Sequence, residues 1–272
     1  MADARPTIDL LWFPDGRADA GRPERPRKGR RQGLSVRRVV ETAIALADAE
    51  GLDAVSMRRV AQELAVVPMT LYTYVPDKAA LLDLMLDHVY LEMSRAETAT
   101  LPWRDRLAAI ADENRALYER HSWAAGFPAS RPPLGPGLAA KYEHELRAFD
   151  GSGLDDVETD SALTYLLGFV QASARAAADT RMAAERSHQT DLAWWAENGP
   201  VLAEVFSAHA YPTATRVGAA AGAALGGAYN PDHAYAFGLA RVLDGLDVLI
   251  ARRAASEPGE AASESGGGDP HR

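Results

Sequence analysis

Between Ser35 and Val75 the apolar residues recur at helical spacing in three blocks, and the last two are too short to persist as isolated helices. Ser35 is placed to cap a first helix that presents Val36, Val39, Val40, Ala43, Ile44 and Ala47 on one face and stops at Gly51. Ser56 caps a short helix carrying Val60, Ala61 and Leu64. Pro68, suited to a first turn, opens another that runs to about Val75. Pro76 and Asp77 then break and recap the chain for a longer helix that begins with Leu81, Leu82, Met85, Leu86 and Val89. Two short helices buttressed by a longer one before them form the arrangement that projects a helix into a DNA major groove. The small Ala61 lets the pair approach closely, while Leu64, Leu71 and Val75 fill the seam. Pro68, Met69, Thr70, Tyr72, Thr73 and Tyr74 are left to face outward, and their hydroxyl groups suit phosphate oxygens.

The remainder is helical in pattern, with segments expected near 103–120, 137–149, 155–181, 190–208 and 233–253. Pro- and Gly-rich stretches at 126–137 and 218–231 separate some of them, and GAAAGAALGG (218–227) reads as a flexible connector. The expected fold is all-α: a three-helix helix-turn-helix DNA-binding domain over 34–87, then a larger helical effector-binding and dimerisation domain over 88–253. Residues 1–33 read as a disordered basic arm and 254–272 as a disordered tail.

Charge is divided unevenly. The net charge is −9, made of +2 over residues 1–78 and −11 thereafter. Seven basic residues and no acid lie between Arg25 and Val40, as expected of an end that meets phosphate. The arm should therefore add to DNA affinity rather than to folding. Arg37, Arg38, Arg58 and Arg59 fall in first helical turns, where a cation opposes the helix dipole by about 0.3–1 kcal/mol; a phosphate backbone would reverse that penalty. The chain has no cysteine, which excludes disulfides, iron–sulfur clusters and thiolate zinc sites and suits a reducing cytoplasm. The only apolar cluster near the start, Ile8 to Phe13, is too short for a signal peptide, and no stretch reaches the roughly 20 apolar residues of a membrane span. The seven histidines are dispersed, with no HExxH pair and no nucleophile elbow, so no catalytic residue, metal or cofactor is expected.

The run MRRVAQELAVVPMTLYTYVPDKAALLDLML resembles the DNA-binding signature of the TetR family of bacterial repressors. The resemblance implies that Arg58 approaches base edges, that Pro68, Met69 and Thr73 face the groove floor, and that Thr70, Tyr72, Tyr74 and Lys78 contact phosphates. One position departs: the turn glycine usual in the family is Ala65 here. Residues 88–253 are similar to the tetracycline-repressor branch through RHSWAAGFPASRPP, LTYLLGFVQAS and FGLARVLDGLDVLI. That similarity implies a homodimer through helices near 155–181 and 233–253, consistent with apolar stripes at Leu163, Leu166, Leu167, Val170 and at Phe237, Ala240, Leu243, Leu246, Leu249. Trp123, Phe127, Tyr165, Phe169, Trp194, Trp195 and Phe206 are the candidate lining of a ligand cavity. Phe127 falls where the branch places a metal-coordinating histidine, so magnesium–tetracycline is not the expected ligand.

The function implied is a cytoplasmic, ligand-responsive transcriptional repressor that binds palindromic operator DNA as a dimer and is released by a small apolar effector. A DNA-tethered enzyme and a constitutive DNA-binding regulator without a ligand are the alternatives. Tyr72→Phe and Lys78→Ala should weaken binding to all sequences alike, because phosphate contacts position without reading bases. Arg58→Ala should relax preference at particular base pairs by about 1–3 kcal/mol, measured by titration across single-base operator variants; unchanged affinity ratios would remove its base-reading role.

Overall fold

The computed structural model describes residues 5–14, 34–127, 131–227 and 229–256. Every regular element among them is helical: α1 (Arg5–Trp12), α2 (Val36–Glu50), α3 (Met57–Glu63), α4 (Pro68–Leu71), α5 (Lys78–Glu92), α6 (Trp103–Arg120), α7 (Pro136–Arg147), α8 (Asp156–Ser187), α9 (Asp191–Val205), α10 (Pro212–Leu225) and α11 (Pro231–Ser256). Short 3-10 turns at Leu52–Ala54 and Ser122–Gly126 complete the set.

The first domain forms where local chemistry directs it. The Ser35 hydroxyl accepts from the Arg38 N–H at 3.2 Å, the Ser56 hydroxyl from the Arg59 N–H at 3.2 Å, and the Asp77 carboxylate from the Ala80 N–H at 2.8 Å. Val39, Val40, Ala43, Val60, Ala61, Leu71 and Val75 close a core against Leu81 and Met85 of α5. Between α3 and α4, Ala65 adopts φ +52°, in the left-handed region. Its N–H donates to Gln62 O at 3.0 Å and the Val66 N–H to Ala61 O at 2.9 Å, the paired bonds that end a helix around a residue usually occupied by glycine. The α-helix opened by Pro68 stops at Leu71, short of the expected Val75; looser turns carry the chain through Tyr74.

α5 crosses the expected 87/88 domain boundary without a break and joins the two domains. It packs most extensively on α7. There Asp87, 3% exposed, accepts from the Gly137 N–H at 3.1 Å and the Leu138 N–H at 2.9 Å, so a carboxylate from α5 caps α7. The approach requires glycine: a Cβ on Gly137 would lie 2.0 Å from the Asp87 carbonyl oxygen. α6, α8 and α11 form the rest of the body, and the Phe169 ring of α8 occupies the space a side chain at Gly238 of α11 would need.

Three expectations are corrected. Residues 5–12 are not a disordered part of the arm: α1 lies on α5, Leu11 is 7% exposed, and the Trp12 indole N–H donates to Leu134 O at 2.8 Å. Leu11, with Leu10 partly buried beside it, is what docks it. Residues 15–33 and 257–272 lie outside the described residues. The stretch 218–225 is not a connector but the second half of α10, because its alanines cost nothing in a helix and outweigh two glycines; Gly226, at φ +73°, ends it. Finally, Leu163, Leu166, Val170, Leu243 and Leu246 of the two stripes are buried in the protomer's own core, since α8 packs on α6 and α11. Phe237 of the second stripe is exposed, and the outer faces of those helices also carry Tyr165 and Val248. α9 and α10 have no fully buried residue within the protomer.

Leu11→Ala should lower stability by about 2 kcal/mol, because α1 is packed rather than solvated; an unchanged melting temperature would show that it is not. Ala65→Gly should raise stability by about 0.5–1 kcal/mol, since glycine relieves the left-handed strain at some cost in unfolded-chain entropy. Chemical denaturation of both variants measures the two effects.

Candidate functional site

The helix-turn-helix presents its expected set unevenly. Met69 is 75% exposed and Tyr72 47%; Arg58, Pro68, Thr73 and Lys78 are also exposed, while Thr70 and Tyr74 are half-buried. The Thr73 hydroxyl donates to Thr70 O at 2.7 Å, and Tyr74 packs its ring against the core. Val67, just before Pro68 and 66% exposed, extends the apolar part of the surface; the sequence reading passed over it because it sits in the turn. Of the first-turn arginines, Arg37 pairs with Glu41 at 2.6 Å, and Arg59 is forked between Glu50 at 2.8 Å and Glu63 at 3.0 Å. Those carboxylates already offset the dipole penalty, so neither arginine needs a phosphate to explain its place. Arg58 projects on the exposed side of the same helix.

A second link ties this domain to the body. The Asp48 carboxylate of α2 accepts from the Trp123 indole N–H at 2.7 Å and contacts His121 Nδ1 at 2.8 Å. The turn carrying both residues is held to α8 by Gln171, whose amide donates to Ala125 O at 3.0 Å and Phe127 O at 2.9 Å. Trp123, expected to line a ligand cavity, is therefore committed to the domain junction, and Phe127 packs edge-on against it at 5.9 Å.

Within the body, α6, α8 and α11 enclose a narrow cleft of about 20 Å³, room for about one water molecule. Arg115, Tyr118, Ser173, Ala174, Arg181 and Tyr235 are among its walls. The Arg115 guanidinium lies 4.5 Å from the Tyr235 ring centre and pairs with Glu119 at 2.7 Å and Asp232 at 2.5 Å. The Tyr235 hydroxyl donates to Asp112 at 3.0 Å, and its ring stacks on Phe169 at 5.9 Å. Burial, with the Glu145 carboxylate nearby, pushes the Tyr118 phenol up to about 12, so it stays protonated at neutral pH. Polar side chains stand among these walls, although most of the lining surface is apolar.

The seven expected aromatic residues are not gathered in one place. Phe169 backs the cleft through Tyr235, whereas Tyr165 is 61% exposed on the outer face of α8. Trp194 and Trp195 meet each other at 5.1 Å on α9, and Phe206 stacks on Tyr211 at 5.3 Å beyond it. A larger groove of about 500 Å³ beside the 150–154 loop is open and lined largely by charged and polar groups such as Arg147 and Asp150. Among the described residues no group of three His, Asp or Glu is arranged to hold a metal ion, and no helix is long and apolar enough to cross a membrane.

Comparison with known proteins places both halves. Residues 39–85 match the model of bacterial regulatory proteins of the tetR family, and residues 97–250 match the tetracyclin repressor-like C-terminal domain. The chain is 40% identical over 253 residues to the HTH-type transcriptional repressor DrrR1 of Streptomyces coeruleorubidus, covering 92% of this chain and 88% of that one. It is 28% identical over 184 residues to the class E tetracycline repressor protein of Escherichia coli, covering 66% of this chain and 83% of that one. Among solved structures, the Streptomyces coelicolor TetR family protein ActR in complex with actinorhodin superposes with a TM-score of 0.66 at 27% identity, over 85% of this chain and all of that one. Its complex with (S)-DNPA gives 0.63 at 28% identity, over 79% of this chain and 98% of that one. With both domains matched over most of the described chain, this protein belongs to the TetR family of transcriptional regulators.

Proposed function

We propose that this chain is a ligand-responsive repressor that binds a palindromic operator as a dimer and is released by a small effector held between α6, α8 and α11. The observation that carries the reading is the physical continuity from cleft to DNA surface. α6, which lines the cleft, runs into the turn that holds Asp48 of α2, and α5 links the body directly to the helix-turn-helix. The ligand-bound structures of ActR lend support by likeness.

On DNA, Arg58 reads base edges, Pro68, Met69 and Thr73 face the groove floor, and Thr70, Tyr72, Tyr74 and Lys78 hold phosphates. Two copies meet through the outer faces of α8 and α11, around Tyr165, Phe237 and Val248. The cleft is only water-sized, so an effector enters by parting its walls. Movement of α6 against α8 then displaces the 122–126 turn and α5 together, and the two recognition helices lose the spacing of successive major grooves. A coupling of about 1–3 kcal/mol between effector and operator is enough for release. The protein acts in the cytoplasm and needs no metal or cofactor for this role.

Selection from a random duplex library should return a palindrome whose half-site centres lie roughly 34–36 Å apart. Sedimentation of the complex should give two protomers per site. A monomer bound with full affinity, or a selected site without a repeat, would overturn the reading.

A further inference from the structure

The turn between α3 and α4 breaks a local rule that the rest of its domain obeys. Ser35, Ser56 and Asp77 each cap the helix that follows with a side-chain oxygen. At the same position before α4 stands Val67, in extended backbone, with no side-chain bond to the helix. Valine is among the poorest residues at that place, where serine or aspartate would stabilise the helix. Packing does not account for it either. Val67 is 66% exposed, whereas Leu71 and Val75 supply the buried contacts of the same segment. A rule broken with no compensating contact inside the protein points to a contact outside it.

Val67 does not stand alone. Pro68 beside it is exposed and Met69 is 75% exposed, so three consecutive apolar side chains meet solvent. Thr73, one turn after Met69, is exposed as well. Its hydroxyl donates to Thr70 O at 2.7 Å, the carbonyl that also receives its own N–H at 3.3 Å. With that proton committed to the backbone, Thr73 has a methyl group and no donor left to present. The patch therefore offers a base pair apolar surface and no side-chain hydrogen-bond donor. Base edges in the major groove present donors and acceptors, which need polar partners, and one apolar group, the C5-methyl of thymine.

Resting on the helix-turn-helix as the operator-binding surface, we propose that Val67, Pro68 and Met69, with the Thr73 methyl, read thymines in each half-site through their C5-methyl groups. Val67 is then a specificity-determining residue that gives up a helix cap in exchange for a base contact. Discrimination at these positions rests on burying a methyl group, and hydrogen-bonded reading is left to Arg58 of α3. Any pyrimidine that carries the methyl satisfies the patch, so 5-methylcytosine is accepted where cytosine is not. A uracil, which keeps every donor and acceptor of thymine, is refused.

The test takes the duplex selected from the random library and replaces each thymine in turn, in both half-sites, by 2′-deoxyuridine, which lacks only the methyl group. Affinity for the full-length protein is read by fluorescence anisotropy. At one or more half-site positions the replacement should weaken binding by about fourfold for each methyl lost. At those positions a duplex with 5-methylcytosine should bind more tightly than one with cytosine. Val67→Ser supplies a cap hydroxyl and removes the apolar contact, so it should keep its melting temperature while the thymine-to-uracil ratio falls toward one. Met69→Ala should lower the ratio as well, and it decides alone should Val67→Ser melt early. Equal binding of thymine and uracil at every position, or of cytosine and 5-methylcytosine, overturns the methyl reading and leaves operator binding standing. A uracil effect undiminished in both variants overturns the assignment to this patch. Failure of the library to yield any specific duplex overturns the operator reading itself, and this inference with it.

Discussion

The architecture hangs on one buried anion. Asp87 belongs to α5, the helix shared by the DNA domain and the body, and its carboxylate is held by two backbone N–H groups at the start of α7. Burial raises its pKa, and the two N–H bonds act against that rise. An uncapped α7 would leave buried donors unpaired, and an unpaired Asp87 would be a charge in an apolar interior. Each removes the other's penalty, so the pair fixes the register of the two helices. The tight approach at Gly135 and Gly137 follows, because any side chain there would strike Asp87. Once α5 and α7 are set, the Leu134 carbonyl just ahead of α7 is in place to receive Trp12, and α1 docks.

Asp48 performs a similar service on the other side of the junction. It gathers the ring N–H of Trp123 and the His121 imidazole, so the end of α2 is fixed to the turn after α6. The two domains are thus held by a continuous helix and by a carboxylate clamp in a different place. With two attachments, the DNA domain is held to the body at more than one place and is not free to swing about a single hinge.

Much of the DNA domain is legible in sequence because its determinants are local. Ser35, Ser56 and Asp77 each bond an N–H three residues ahead, and the apolar spacing around them places Leu71 and Val75 inside and Met69 and Tyr72 outside. The departure at Ala65 is legible through the family resemblance, which places a glycine at that turn, and the residue does adopt a left-handed backbone. The body is not legible in the same way. Arg115 finds Asp232 at a separation of 117 residues and Tyr235 finds Asp112 at 123, and no local pattern announces either pair. Aromatic identity misdirects the reading: Trp123 serves Asp48, 75 residues away, and Trp194 and Trp195 serve each other. The residues that do line the cleft include Ser173, Ala174 and Ala177, small side chains that give no chemical signal in sequence.

α9 and α10, of 15 and 14 residues, carry Leu192, Val201, Val205 and Val217 outward and have no fully buried residue within the protomer. Helices of that length are marginal in water without a packed face. Their amide protons should therefore exchange sooner than those of α2 and α5, which are sealed inside the chain's own core.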